Sequence, residues 1–297
     1  MHLDVGNGHR IYYEEYGNPK GIKILFLHGG PGLGFSDNDK AFFDPEKFHV
    51  VFIDQRGCGR STPKGALNFN TTQYLISDIN IVLNHLEIES VTLFGGSWGA
   101  TLAILYAAEF PKSVNKLILR GFFPATKECT DIYLRGGIQT THPENWERVS
   151  SLVPENEKDK VAEYFFEVIN SDSEKSQALG YEWARYGLSL SRKQISEKEL
   201  DQILVEGAID IDSIKIELNY ALNGFFIPEG YVYEQATKIG NIPIVIIHGS
   251  HDYICPVGYA EKLTSKFTKP KFILVDAGHS TFDVAIKEAL FEELDQL

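Results

Sequence analysis

Disulfides are the first thing this chain cannot be built on. Its 297 residues hold three cysteines, Cys58, Cys129 and Cys255, widely spaced and odd in number, which implies no disulfide framework. Positive charge is also scarce. Lys and Arg number 28 against 41 Asp and Glu, a net charge of −13, and nucleic acid or an anionic membrane surface would require a basic face. Long apolar runs are missing: none nears the roughly 20 residues of a membrane span, and the N-terminal MHLDVGNGHR lacks the apolar core of a signal peptide. The expectation is a cytoplasmic protein. No His-Glu-x-x-His or paired-cysteine pattern occurs, so neither a metal nor another cofactor is expected. Repeats and low-complexity tracts are likewise absent. What is present is globular: 43% hydrophobic and 12% aromatic residues. The length suits one α/β domain with an insertion, or two small domains.

The most informative stretch runs from Ser90 to Phe110. Val91 to Phe94 reads as a short buried strand, and Ala100 to Ala107 as an apolar helix packed on a sheet. Between them lies Gly95-Gly96-Ser97-Trp98-Gly99. Its Gly-x-Ser-x-Gly pattern matches the nucleophile elbow of α/β-hydrolases, a strained strand-to-helix bend that lifts the serine Oγ clear of the backbone. Bulky side chains at either glycine would crowd the adjoining strand and helix. The Trp98 N–H, at the helix start, is then available to a developing oxyanion.

Elsewhere strands alternate with helices. Strands are expected at His9–Tyr16, Ile22–Leu27, Val50–Ile53, Val114–Leu119, Ile242–Ile247 and Lys271–Val275. A helix capped by Thr71 or Thr72 should run to Leu86, and a closing helix should align Phe282, Ala285, Ile286, Ala289 and Leu290. Such alternation implies an α/β fold with a mostly parallel sheet covered on both sides. From residue 125 to residue 235 the strand-like runs disappear and helical periodicity takes over. This segment holds 21 acidic against 11 basic residues, −10 of the chain's −13. The expected organisation is a core domain of residues 1–124 and 236–297 with a helical cap, 125–235, inserted into it.

A serine nucleophile needs a histidine to take its proton and a carboxylate to orient that histidine, in the order Ser, acid, His on this fold. Asp252 follows one late strand and His279 the last, both at the strand edge where open α/β sheets bind ligands. Asp276 is nearer His279 in sequence, but it ends its own strand and suits a turn cap better. His28-Gly29-Gly30-Pro31-Gly32 follows the second of the expected strands. Such a loop supplies the second oxyanion donor of α/β-hydrolases, here assigned to the Gly30 N–H, with His28 as scaffold. Asp54 and Arg56 are expected to brace loops beneath the site. The expected chemistry is acyl transfer: Ser97 attacks a carbonyl, His279 and Asp252 manage the proton, and Trp98 and Gly30 hold the oxyanion.

These residues resemble the prolyl aminopeptidases (proline iminopeptidases). The likeness lies in the His28–Gly32 loop, in Asp54-Gln55-Arg56-Gly57-Cys58-Gly59-Arg60-Ser61, in the serine elbow, in Trp146-Glu147-Arg148-Val149 and in His248-Gly249-x-x-Asp252. It covers nearly the whole chain and is weakest in the cap. The resemblance implies a serine exopeptidase that releases an N-terminal residue, usually proline, from short peptides, with the free ammonium held by cap glutamates. It makes Glu217 one such glutamate, Phe123 and Tyr133 walls of the proline pocket, and Cys255 a neighbour of that pocket. Two positions depart from the pattern. Trp183-Ala184-Arg185-Tyr186-Gly187 has no acid where a second amine-binding glutamate usually stands, leaving Glu182 as a substitute. Ala221 replaces a pocket phenylalanine. The alternative activity is a serine esterase or amidase whose small substrate carries no amine. Oligomeric state cannot be read from the sequence.

Overall fold

The structure, a computed structural model, describes residues 1–171, 173–206 and 210–297. Its frame is an eight-stranded sheet: β1 (His2–Gly6), β2 (His9–Gly17), β3 (Ile22–Leu27), β4 (Phe48–Asp54), β5 (Val91–Gly96), β6 (Val114–Arg120), β7 (Ile244–Gly249) and β8 (Lys271–Val275), in the order β1-β2-β4-β3-β5-β6-β7-β8. β1, β2 and β4 pair antiparallel, and every pairing from β4 through β8 is parallel. Residues of β4, β5 and β7 are buried throughout, as continuous apolar runs in a doubly covered sheet should be. β8, at the edge, is half exposed.

The helices are α1 (Asp37–Lys40), α2 (Thr72–His85), α3 (Trp98–Glu109), α4 (Lys127–Leu134), α5 (Pro143–Ser150), α6 (Val161–Ile169), α7 (Ser176–Ser191), α8 (Glu197–Glu206), α9 (Ile211–Leu222), α10 (Tyr231–Ala236), α11 (Val257–Thr264) and α12 (Val284–Asp295). α3 is buried from Trp98 to Ala107, because a helix apolar on all sides is stable only inside. With α2 and α10 it forms the core on one sheet face. On the other face Phe26, Phe43, Phe52 and Phe94 pack edge-to-face and stacked, closed by Ile286, Ala289 and Leu290 of α12. Between β6 and β7 the described residues form no strand. There Trp146, Phe165, Trp183 and Tyr186 centre a third apolar cluster.

Three details differ from expectation. β1 had no clear sequence pattern, and its ladder with β2 supplies it. β7 starts two residues late, since Pro243 has no N–H and only offers its carbonyl to the Leu117 N–H at 2.9 Å. Phe282 precedes α12 and is 46% exposed, so it is not part of that helix's buried face.

Candidate active site

All the loops that matter leave the same sheet edge. β3, β5, β6, β7 and β8 run parallel, so their C-terminal ends bring His28, Ser97, Gly121, Asp252 and His279 together.

Ser97 sits at φ 55° and ψ −121°, a backbone region that costs a side-chain-bearing residue about 1–3 kcal/mol. The surroundings enforce it. A Cβ on Gly95 would lie 2.4 Å from the Gly99 carbonyl oxygen, and one on Gly99 would lie 2.0 Å from that of Leu27. Only glycine at both positions lets α3 start so close to β3 and β5. The Ser97 N–H donates to the Arg120 carbonyl at 2.8 Å, and the Arg120 guanidinium donates to the His279 carbonyl at 2.7 Å. One residue, at the end of β6, thus ties the two loops that carry Ser97 and His279.

The Nδ1–H of His279 donates to Oδ2 of Asp252 at 2.7 Å. A carboxylate only accepts, so this bond fixes the tautomer and leaves Nε2 as the free, basic nitrogen. Oδ1 of Asp252 accepts the N–H groups of Cys255 at 2.7 Å and Ile254 at 3.1 Å. Burial pushes the Asp252 carboxyl up, but the His279 and His248 rings and these hydrogen bonds outweigh it and hold it below the usual range. Asp276 lies elsewhere: exposed, it pairs with Lys193 at 2.6 Å and His251 at 3.1 Å. Gly121 makes room for the ring, since a Cβ there would sit 3.1 Å from both Nδ1 and Cε1 of His279.

His28 is structural. Its Nε2 accepts the Gln55 N–H at 3.0 Å, so Nδ1 carries the proton and donates to the Gly29 carbonyl at 2.8 Å. Burial keeps its pKa low and the ring neutral. Gln55 also donates to the His28 carbonyl at 2.9 Å and accepts the Trp98 indole N–H at 3.1 Å. This bridge locks the glycine loop to the start of α3, which matters because both oxyanion donors are assigned there. Nothing in the sequence pattern singled out Gln55 or Arg120. Asp54 and Arg56 do brace loops, but not through each other. Asp54 takes Arg60 and the Phe35 N–H, while Arg56 forms a buried fork on Asp78 at 2.6 and 2.8 Å.

Ser97 and His279 open into a cavity of about 1120 Å³, whose wall also includes Gly30, Phe123, Tyr133, Ala221 and Glu217. Glu217 projects from α9. Its Oε1 accepts the Trp183 indole N–H at 3.3 Å, and the Tyr133 hydroxyl bonds it as well. Gly187 lets that hydroxyl in, since a Cβ there would sit 2.8 Å from it. Burial raises the Glu217 carboxyl to about 7, although both hydrogen bonds pull it down. No ion pair reaches it among the described residues. The proposed substitute, Glu182, is turned away onto Arg148 at 2.5 and 2.9 Å. Arg185 pairs with Asp201 and Glu197 of α8, so it is not aimed at Glu217, where it would repel an ammonium. Phe225 fills space near Ala221, packing edge-on to Phe123 at 4.7 Å and tilted on Trp98 at 5.4 Å. Its φ of 54°, in a short turn, gave the sequence no periodic signal. Cys255 is fully buried behind Asp252 and is not part of the wall.

Comparison with known proteins agrees with this fold. A family model described as the alpha/beta hydrolase fold matches residues 23–136. Solved structures similar in fold include an alpha/beta hydrolase enzyme from a Medee basin deep-sea metagenome library (TM-score 0.73, 16% identity, 100% of this chain and 98% of that one) and an esterase from Exiguobacterium antarcticum (TM-score 0.71, 21% identity, 100% and 98%). Curated relatives named proline iminopeptidase are closer in sequence. That of Neisseria meningitidis serogroup B is 34% identical over 300 residues, covering 100% of this chain and 95% of the relative. That of Xylella fastidiosa is 36% identical over 296 residues, covering 97% and 93%. That of Arabidopsis thaliana is 34% identical over 292 residues, covering 97% and 77%. With such identity sustained from end to end, on an α/β-hydrolase fold, the chain belongs to the proline iminopeptidase family.

Proposed function

We propose that the protein is a cytoplasmic serine exopeptidase that removes an N-terminal residue, with proline favoured, from short peptides. Ser97 attacks the scissile carbonyl while His279 Nε2 takes its proton, and Asp252 stabilises the imidazolium. The N–H groups of Gly30 and Trp98 receive the oxyanion, each worth about 3–4 kcal/mol when well placed. His279 then protonates the departing amine, and water hydrolyses the acyl-enzyme. Glu217 binds the substrate ammonium, and Phe123 and Tyr133 flank the proline ring. Residues 125–235 act as a cap over the substrate. No cofactor takes part. Three free, buried cysteines suit a reducing compartment.

The observation that carries this reading is Glu217: a half-buried carboxyl without a cationic partner among the described residues, on the wall that also holds Ser97 and His279. An unpaired carboxylate there is costly, and a bound ammonium relieves the cost. An esterase substrate without an amine would leave it unanswered. The test compares Pro-, Ala- and N-acetyl-Pro-arylamides with p-nitrophenyl acetate. Free-amine compounds should dominate, and Glu217→Gln should weaken them selectively. Equal turnover of the N-acetylated compound would eliminate the exopeptidase reading.

A further inference from the structure

The cavity wall also carries positive charge, and the catalytic assignment uses none of it for substrate. Among the described residues it includes Arg120, Arg192 and Lys287. Arg120 is committed to the His279 carbonyl. Arg192 and Lys287 enter no ion pair among the described residues, and the Nε of Arg192 is buried without a hydrogen-bond partner. Glu199, close enough to feel the Arg192 charge, is bonded to Ser196 at 2.6 and 3.0 Å instead. Arg192 thus brings a half-buried guanidinium to the cavity wall with no ion pair among the described residues, and an anion in the cavity could pair with it.

Its location identifies which anion. The departing amine must lie against His279, since that ring protonates it. The next part of the substrate therefore runs along the wall beside the His279 loop. Ser280 of that loop donates its N–H to the Ser191 carbonyl at 2.7 Å, and a Cβ on Gly278 would lie 2.8 Å from the Arg192 Cα. Lys287 belongs to α12, which follows the same loop. α7 works as a ruler across the cavity. Trp183, near its middle, bonds Glu217, and Ser191, its last residue, bonds the His279 loop. Eight residues of helix span about 12 Å. A dipeptide spans about 7 Å, and hydrogen bonds of about 3 Å at each end bring the total to about 13 Å, close to that length.

We infer that Arg192 and Lys287 bind the terminal carboxylate of the substrate, so that the protein acts on zwitterionic peptides of two or three residues. This rests on the aminopeptidase reading, with Glu217 holding the opposite end. The experiment measures kcat/KM for Pro-Ala against Pro-Ala-NH2, and for Pro-Ala, Pro-Ala-Ala and Pro followed by five alanines. The free acid should exceed the amide about tenfold, as expected of a charge-assisted contact, and efficiency should fall beyond three residues. Within each variant the acid-to-amide ratio is the readout, because a general structural loss lowers both substrates alike. Arg192→Gln and Lys287→Gln should each drive the ratio toward one, and Arg192→Lys should restore part of it; if Arg192→Gln fails to fold, the other two still decide. A ratio near one in the wild type, or an unchanged ratio in the variants, overturns the inference while leaving the aminopeptidase standing. Failure to cleave any free-amine prolyl substrate, arylamide included, overturns both.

Discussion

Two aspartates compete on paper for His279, and their surroundings separate them. Asp252 has no exposed carboxylate surface and is gripped by two backbone N–H groups and the imidazole, whereas Asp276 is 70% exposed and holds Lys193. Asp252→Asn should therefore lower kcat by about 10³–10⁴-fold through the wrong tautomer, while Asp276→Asn should change it less than twofold; assays of both variants on a prolyl arylamide check this. Glu217 gives a prediction of opposite electrostatic sign. Its carboxyl titrates at about 7 in the folded chain against an ordinary 4.5. The folded state therefore holds the proton more tightly, and stability falls as pH rises from about 4.5 through 7. Glu217→Gln removes that loss. It should leave stability unchanged near pH 4 and raise it by about 3 kcal/mol above pH 8, as read from urea midpoints at the two pH values. With substrate the order reverses: the amine needs the ionised carboxylate, so wild-type KM for free-amine substrates should drop as pH rises toward 7, and the variant's should not.

At the level of elements, the sequence carried the strand–loop pattern because each loop at the working edge has its own chemical reason to be glycine-rich or polar. That the loops of Ser97, Asp252 and His279 emerge at one edge of the sheet was legible, because the order of strands fixes it. Gln55, Arg120 and Phe225 were not, since their roles come from partners 27 to 159 positions away or from a turn without periodicity. The bond from Ser280 to Ser191 is of the same kind: it joins the end of α7 to the His279 loop, and no local pattern announces it. Glycine spacing, by contrast, converts directly to energy. Gly99→Ala would push a Cβ to 2.0 Å from the Leu27 carbonyl oxygen and should cost about 2–4 kcal/mol with loss of activity. In α11 a Cβ on Gly258 meets nothing within 4 Å, so Gly258→Ala should stabilise by about 0.5 kcal/mol and leave kinetics intact. Denaturant midpoints for the pair measure both signs in one experiment.

Across the whole molecule the charge is unevenly distributed, with −10 of −13 in residues 125–235, the segment that includes Glu217. An acidic surround attracts a cationic substrate over distances far beyond contact, and salt removes that attraction as the screening length shrinks from about 30 Å at 0.01 M to about 8 Å at 0.15 M. Solubility alone would account for the same acidity without any such effect. The two explanations part on ionic strength. A prolyl arylamide, with net charge +1, should lose kcat/KM severalfold as salt rises through that range, while kcat stays constant because steering acts on encounter and not on chemistry. A zwitterionic dipeptide, neutral overall, should respond less, and p-nitrophenyl acetate not at all. If the cationic and neutral substrates respond equally to salt, the acidic segment has no part in capture and serves only to keep the chain in solution.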